Sequence, residues 1–154
     1  MPICKPEDLV ELRGTGARIL GLDLGSKTIG MAVSDASFIV ATAVGTIRRR
    51  KFTIDVEELR YVVQDRNIGA FILGLPLNMD DTEGPRVQST RDFATNLLGK
   101  IDLPLTFWDE RMSTQAVERA MLEEDMTRKR RADRIDTLAA TYILQAALDA
   151  LPRS

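Results

Sequence analysis

Three acidic positions account for most of the chemistry open to this sequence: Asp23, the neighbours Asp109 and Glu110, and Asp136. Histidine is absent and Cys4 is the only cysteine. That removes the commonest general base, the commonest transition-metal ligand, a catalytic Cys–His pair, an internal disulfide and a thiolate zinc site. Carboxylates remain, and as hard oxygen ligands they suit Mg²⁺ or Mn²⁺. Carboxylates brought together repel and raise one another's pKa unless a cation neutralises them, so a convergent set points to divalent metal. Two such ions about 3.5–4 Å apart would stabilise the attacking and leaving oxygens of a phosphodiester displacement. The basic segments Arg48–Lys51 and Arg128–Arg131 are available to hold phosphates.

Each acid also has a structural reading. Asp23 could shape a turn, since Asp shortly before Gly is common in loops. Asp109 and Glu110 could pair with Arg111 on the surface. Asp136 could favour a helix N-terminus, a contribution of about 0.3–1 kcal/mol, and Asp133 reads as a cap. The acids become a site only if the fold makes them converge.

The elements that must do so can be traced along the chain. Ile19–Leu24 and Thr28–Ser34 are apolar runs separated by Gly25, Ser26 and Lys27, which predicts a hairpin. Phe38–Val44 supplies a third strand ahead of the basic run Arg48–Lys51. From Thr53 the period changes to that of an amphipathic helix through Val56, Leu59, Val62 and Val63, ending near Asn67 and Gly69. Ala70–Leu75 suits a strand buried on both faces. Pro85 opens a second helix through Val87, Thr90, Ala94, Leu97 and Leu98, with Gly99 as its stop. Leu103–Trp108 reads as a fifth strand running into Asp109. Ser113 caps a further helix through Met121, a basic loop covers Thr127–Arg131, and the last helix carries Ile135, Leu138, Ala139, Tyr142, Ile143 and Ala146 on one face, with Asp136 in its first turn. The order β-β-β-α-β-α-β-α-α implies an α/β fold, a mixed five-stranded sheet flanked by helices. In such sheets ligands bind at the strand ends where these acids fall.

Composition sets the outer bounds. The chain has 154 residues, 44% apolar and 29% charged, with a formal net charge of -2. This fits one globular domain over residues 18–154 behind a surface lead-in, residues 1–17. No secretory leader or membrane span is evident, so the expected compartment is the cytoplasm and no membrane partner is expected.

Four stretches together resemble one family: Gly21–Asp35, Gly74–Gly84, Asp109–Thr114 and Asp133–Ala140. In order and content they are similar to the YqgF family, also called RuvX, whose members are likened to Holliday junction resolvases. The resemblance covers about residues 18 to 150. It implies an RNase H-like fold and a bacterial, cytoplasmic nuclease that matures the 5′ end of pre-16S ribosomal RNA. Carried across motif by motif, it makes Asp23, Glu110 and Asp136 the metal ligands for Mg²⁺ or Mn²⁺, with Asp109 as a further catalytic candidate beside Glu110. Strand alternation puts Asp109 and Glu110 on opposite faces, and Glu110 is the favoured ligand. Thr28 stands where the family often has a basic residue, and Asp81 where Gly is usual.

The function expected on these grounds is hydrolysis of phosphodiester bonds, endo- or exonucleolytic, in a structured nucleic acid such as precursor rRNA or a ribosomal particle. Lys27, Arg111, Arg128, Lys129, Arg130 and Arg131 would contact the backbone. The alternatives are a resolvase acting on DNA, a non-cleaving RNA-binding factor in ribosome assembly, and a sugar-kinase or actin-like ATPase suggested by Gly21–Gly25. The last generally needs two domains, for which the chain leaves little room. Monomer and homodimer are both open, although symmetric cutting of a four-way junction calls for two-fold symmetry.

Overall fold

The computed structural model describes residues 3–76, 84–110 and 128–152, with 128–137 as backbone alone. A short 3-10 helix, Pro6–Leu12, precedes β1 (Arg18–Leu24), β2 (Thr28–Ser34), β3 (Ala41–Arg48), α1 (Phe52–Asp65), β4 (Ile68–Leu75), α2 (Pro85–Lys100), β5 (Leu105–Asp109) and α3 (Arg128–Ala150). The strands form one sheet in the order β3-β2-β1-β4-β5. β2 pairs antiparallel with β1 and β3, whereas β4 pairs parallel with β1 and β5. The C-terminal ends of β1, β4 and β5 therefore share one edge of the sheet.

Alternation along β1 divides the core in two. Leu20, Leu22 and Leu24 face Val56 and Leu59 of α1 and Phe93, Ala94 and Leu97 of α2. Ile19, with Ala70 and Ile72 of β4, faces Ala140, Ile143, Leu144 and Ala147 of α3. Burial on both faces is why β1 and β4 read as near-continuous apolar runs. Among the described residues no helix is long and apolar enough to cross a membrane.

Several boundaries depart from the sequence reading. β3 begins at Ala41, not Phe38, because Asp35 folds the preceding residues into a loop: its Oδ1 accepts from the N–H groups of Ile39 (2.7 Å) and Val40 (3.1 Å). Phe38 there has φ 59, outside the strand region, and is buried. Gly99 does not stop α2, which runs to Lys100. Gly99 falls in the last turn, and the helix is capped one residue beyond Lys100 by Ile101, whose N–H donates to the Leu97 carbonyl. β5 starts at Leu105, after Pro104, whose missing N–H keeps it out of a ladder interior. The basic stretch Arg128–Arg131 is helical rather than a loop, so Asp133 is not a cap and Asp136 lies beyond the first turn of α3. The buried stripe of α3 is also rotated from the expected one. Ala139, Ala140, Ile143, Leu144, Ala147 and Leu148 are buried while Tyr142 is 41% exposed. The lead-in is mostly at the surface but inserts Leu9 into the core, and the Cys4 N–H donates to the Leu105 carbonyl at 2.9 Å. The helix expected over Ser113–Met121 lies outside the described residues.

Candidate metal and nucleic-acid site

Asp23 is the penultimate residue of β1, one of few polar side chains in the sheet, and is buried. It shares its face with Ile19 and Gly21, the face that α3 covers. Glu110 follows β5 directly and arrives on that same face, because Thr106 and Trp108 alternate with Leu105 and Phe107. Asp109 shares the parity of Phe107, toward α1 and α2. The structure thus brings Asp23 and Glu110 into side-chain hydrogen-bonding contact across β4.

Glycine makes that crossing possible. A Cβ on Gly74 of β4 would stand 2.7 Å from Glu110 Oε1, 2.8 Å from its Cγ and 2.8 Å from Ile143 Cδ1. The Glu110 carboxylate therefore lies directly over the Gly74 backbone, in space any other residue would fill. Gly21 does the same for α3: a Cβ there would be 2.8 Å from Leu144 Cβ and 3.3 Å from the Ala140 carbonyl oxygen. Two strand glycines thus form the floor on which the last helix and the second acid rest.

The electrostatics follow from this packing. Burial, then the hydrogen bond with Glu110, then the Glu110 charge push the Asp23 carboxyl up to about 9, against the opposing pull of the Arg86 guanidinium. A buried carboxylate pair of this kind holds a proton unless a cation replaces it. The donors are oxygens alone, which fits a hard divalent ion. Among the described residues no three His, Cys, Asp or Glu side chains cluster, and Asp23 and Glu110 are the two acids that the described side chains bring together at this edge. Asp136 is placed only as backbone, in α3 four residues before the Ala140 that rests on Gly21.

The basic residues divide by what holds them. Lys27 is exposed in the β1–β2 turn. That turn is closed by Gly25 N–H donating to Thr28 O at 2.8 Å, and braced by Arg49, whose Nη1 donates to Gly25 O at 2.7 Å. Arg50 pairs with Glu58. Arg128, Lys129, Arg130 and Arg131 occupy the start of α3, and Arg111 and Asp81 lie outside the described residues. Sequence reasoning missed Gly21, Gly74 and Arg86. Glycine inside an apolar strand marks a close approach, and an arginine in the first turn of a helix runs against the helix dipole. Both signals were present.

Residues 17–150 match the family described as RuvX: Holliday junction resolvase. The chain belongs to the RuvX family. It is similar to the "Putative pre-16S rRNA nuclease" of Paramagnetospirillum magneticum, 54% identical over 149 residues that cover 97% of this chain and 96% of the relative. The protein of the same name from Paracoccus denitrificans is 61% identical over 137 residues, 89% of this chain and 86% of that one. In fold the chain is similar to Thermus thermophilus RuvC in complex with Holliday junction substrate, with a TM-score of 0.54, 11% identity, and coverage of 87% of this chain and 94% of RuvC. At that identity the likeness concerns architecture: this RuvX chain has the RNase H-like fold of the resolvases.

Proposed function

We propose that this RuvX chain is a metal-dependent nuclease that trims the 5′ end of precursor 16S rRNA. The observation that carries the reading is the buried Asp23–Glu110 pair at the C-terminal strand edge, in a chain whose relatives bear the name pre-16S rRNA nuclease. Asp23 and Glu110 would hold Mg²⁺ or Mn²⁺, with Asp136 as the third donor. When bound, the ion supplies Lewis-acid activation of the phosphodiester and of water at neutral pH, which suits a site without histidine. The protein's part is to fix the acids. β1 sets Asp23, Gly74 seats Glu110, and α3 packs on the same face of the sheet through Ala140, Ile143 and Leu144. Lys27 and Arg111, with Arg128–Arg131, would grip backbone phosphates and set the register of the strand to be cut, a role that carries no sequence information by itself.

A four-way DNA junction is the second substrate to consider, because the matching family is described as Holliday junction resolvase. One experiment separates the possibilities: purified protein with Mg²⁺ or Mn²⁺ is offered a precursor rRNA fragment and a four-way DNA junction side by side. Preferential cleavage of the RNA is expected, and Asp23→Asn should abolish it. Full activity in that variant would reject the metal mechanism. RNA binding that ignores both metal and acids, with no cutting, would instead support an assembly factor.

A further inference from the structure

We infer that Arg86 binds a phosphate of the substrate beside the Asp23–Glu110 pair, an inference that rests on the nuclease reading above. Arg86 is the second residue of α2, exposed, and reaches back to the end of β1, where its Nη2 donates to the Leu24 carbonyl at 3.3 Å. Leu24 directly follows Asp23 and precedes the turn that carries Lys27. The guanidinium therefore stands at the sheet edge where the two acids meet.

Within the protein the acidic group that Arg86 faces is Asp23, whose carboxyl its charge pulls down against burial, and its position on the helix invites a further anion. A cation in the first turn of a helix opposes the helix dipole. One long hydrogen bond to a carbonyl uses one of five guanidinium donors and returns little. Among the described residues that carbonyl is its hydrogen-bond partner. The α2 N-terminus also has no side-chain cap, with Gly84 at the capping position and Pro85 next. A phosphate there would accept a fork of two N–H bonds from Arg86 and would gain from the positive end of the helix. It would also offset the cation that the dipole disfavours. Its contact with the Leu24 carbonyl keeps the guanidinium beside the residue that follows Asp23, so a phosphate gripped by it would lie close to the acids. The chemistry fits the strand being cut, whose phosphates are the anions this edge is proposed to receive.

The test compares wild type, Arg86→Gln and Arg86→Lys as full chains. Binding of a fluorescent precursor-rRNA fragment is titrated against salt in chelator, where nothing is cut, and steady-state cleavage is measured with Mg²⁺. Arg86→Gln should flatten the slope of log affinity against log salt by about 0.7–0.9, the signature of one lost phosphate contact, and should raise KM. Arg86→Lys, which keeps the charge but not the fork, should restore the slope and only part of the affinity. A lowered melting temperature with an unchanged slope would make Arg86 a clamp between α2 and β1 and overturn the inference. If wild type neither binds nor cuts the fragment, the nuclease reading fails with it. If wild type does both and Arg86→Gln keeps its slope and KM, this inference alone fails.

Discussion

At the scale of single residues, the proton that Asp23 holds beside Glu110 governs behaviour in the absence of metal. Burial and the neighbouring Glu110 raise the Asp23 carboxyl in the folded state to about 9, from an ordinary value of 3.8. A raised carboxyl contributes stability that is fully present below the unfolded pKa and is lost as pH rises through the folded pKa. Metal-free protein should therefore lose stability progressively from about pH 4 to pH 9 on account of this group, and Asp23→Asn should remove that dependence. Urea unfolding in chelator across the range measures it. Divalent metal competes with the same proton, so binding should release protons and tighten with pH through that window. Calorimetry in buffers of different ionisation enthalpy reads the release directly. The neighbouring acids give a sharper contrast. Glu110→Gln should lose cleavage by orders of magnitude, while Asp109→Asn, on the opposite face of β5, should retain most of it. Equal losses in kinetic assays would mean that both carboxylates serve the site.

At the scale of elements, β1, β4 and α3 make one unit, and its two glycines allow separate tests. A Cβ at Gly21 would meet Leu144 Cβ at 2.8 Å and a backbone carbonyl at 3.3 Å, neither of which can swing away. Gly21→Ala should cost about 1–3 kcal/mol or more of stability through overpacking. At Gly74 the obstacles are the ends of two flexible side chains, Glu110 and Ile143. Gly74→Ala should cost less stability but displace the Glu110 carboxylate, so cleavage and metal affinity should fall further than unfolding does. Denaturant curves set beside metal titrations of the two variants decide between these outcomes.

The same unit explains which parts of the molecule could be read from residue order. The hairpin was legible because β1 and β2 are buried on both faces and only Gly25, Ser26 and Lys27 interrupt them. While the choice of Glu110 came with the family resemblance, that one of the neighbours Asp109 and Glu110 would face Asp23 was legible from residue type and strand parity. The start of β3 was not, since nothing in the type of Phe38 announces φ 59; that geometry comes from Asp35 gripping the loop two to five residues on. The phase of α3 was hidden as well. Apolar residues crowd Leu138–Leu148, and the stripe that is buried was chosen by the strand glycines beneath it, a tertiary contact without local trace. Arg86 escaped notice because its role depends on where β1 ends in space.

At the scale of the whole molecule, a chain of net charge -2 has no global attraction for nucleic acid, so affinity must come from where the charges lie. The strand directions concentrate them. Thr28 pairs with Arg48, and the Arg49 N–H donates to Lys27 O at 2.8 Å, so Arg48–Lys51 stands at the same sheet edge as the β1–β2 turn, Arg86 and the two acids. Within this run the residues have different duties. Arg49 braces Gly25, Arg50 pairs with Glu58, and the backbone N–H of Arg50 is tied to the Asp55 carboxylate at 3.0 Å. Arg48 and Lys51 are exposed, and among the described residues neither has an ion pair. These two should be the run's contribution to phosphate binding, with Arg49 and Arg50 serving the architecture. Arg48→Ala combined with Lys51→Ala should weaken RNA binding and flatten its salt slope by about 1.4–1.8, for two lost contacts, while metal affinity and melting temperature stay near wild type. Arg49→Ala should instead lower the melting temperature by loosening the turn that carries Lys27. Fluorescence anisotropy across a salt series and thermal melts of both variants test this division. A slope untouched by the double substitution would move the nucleic-acid path to the other side of the acids, toward the first turn of α3.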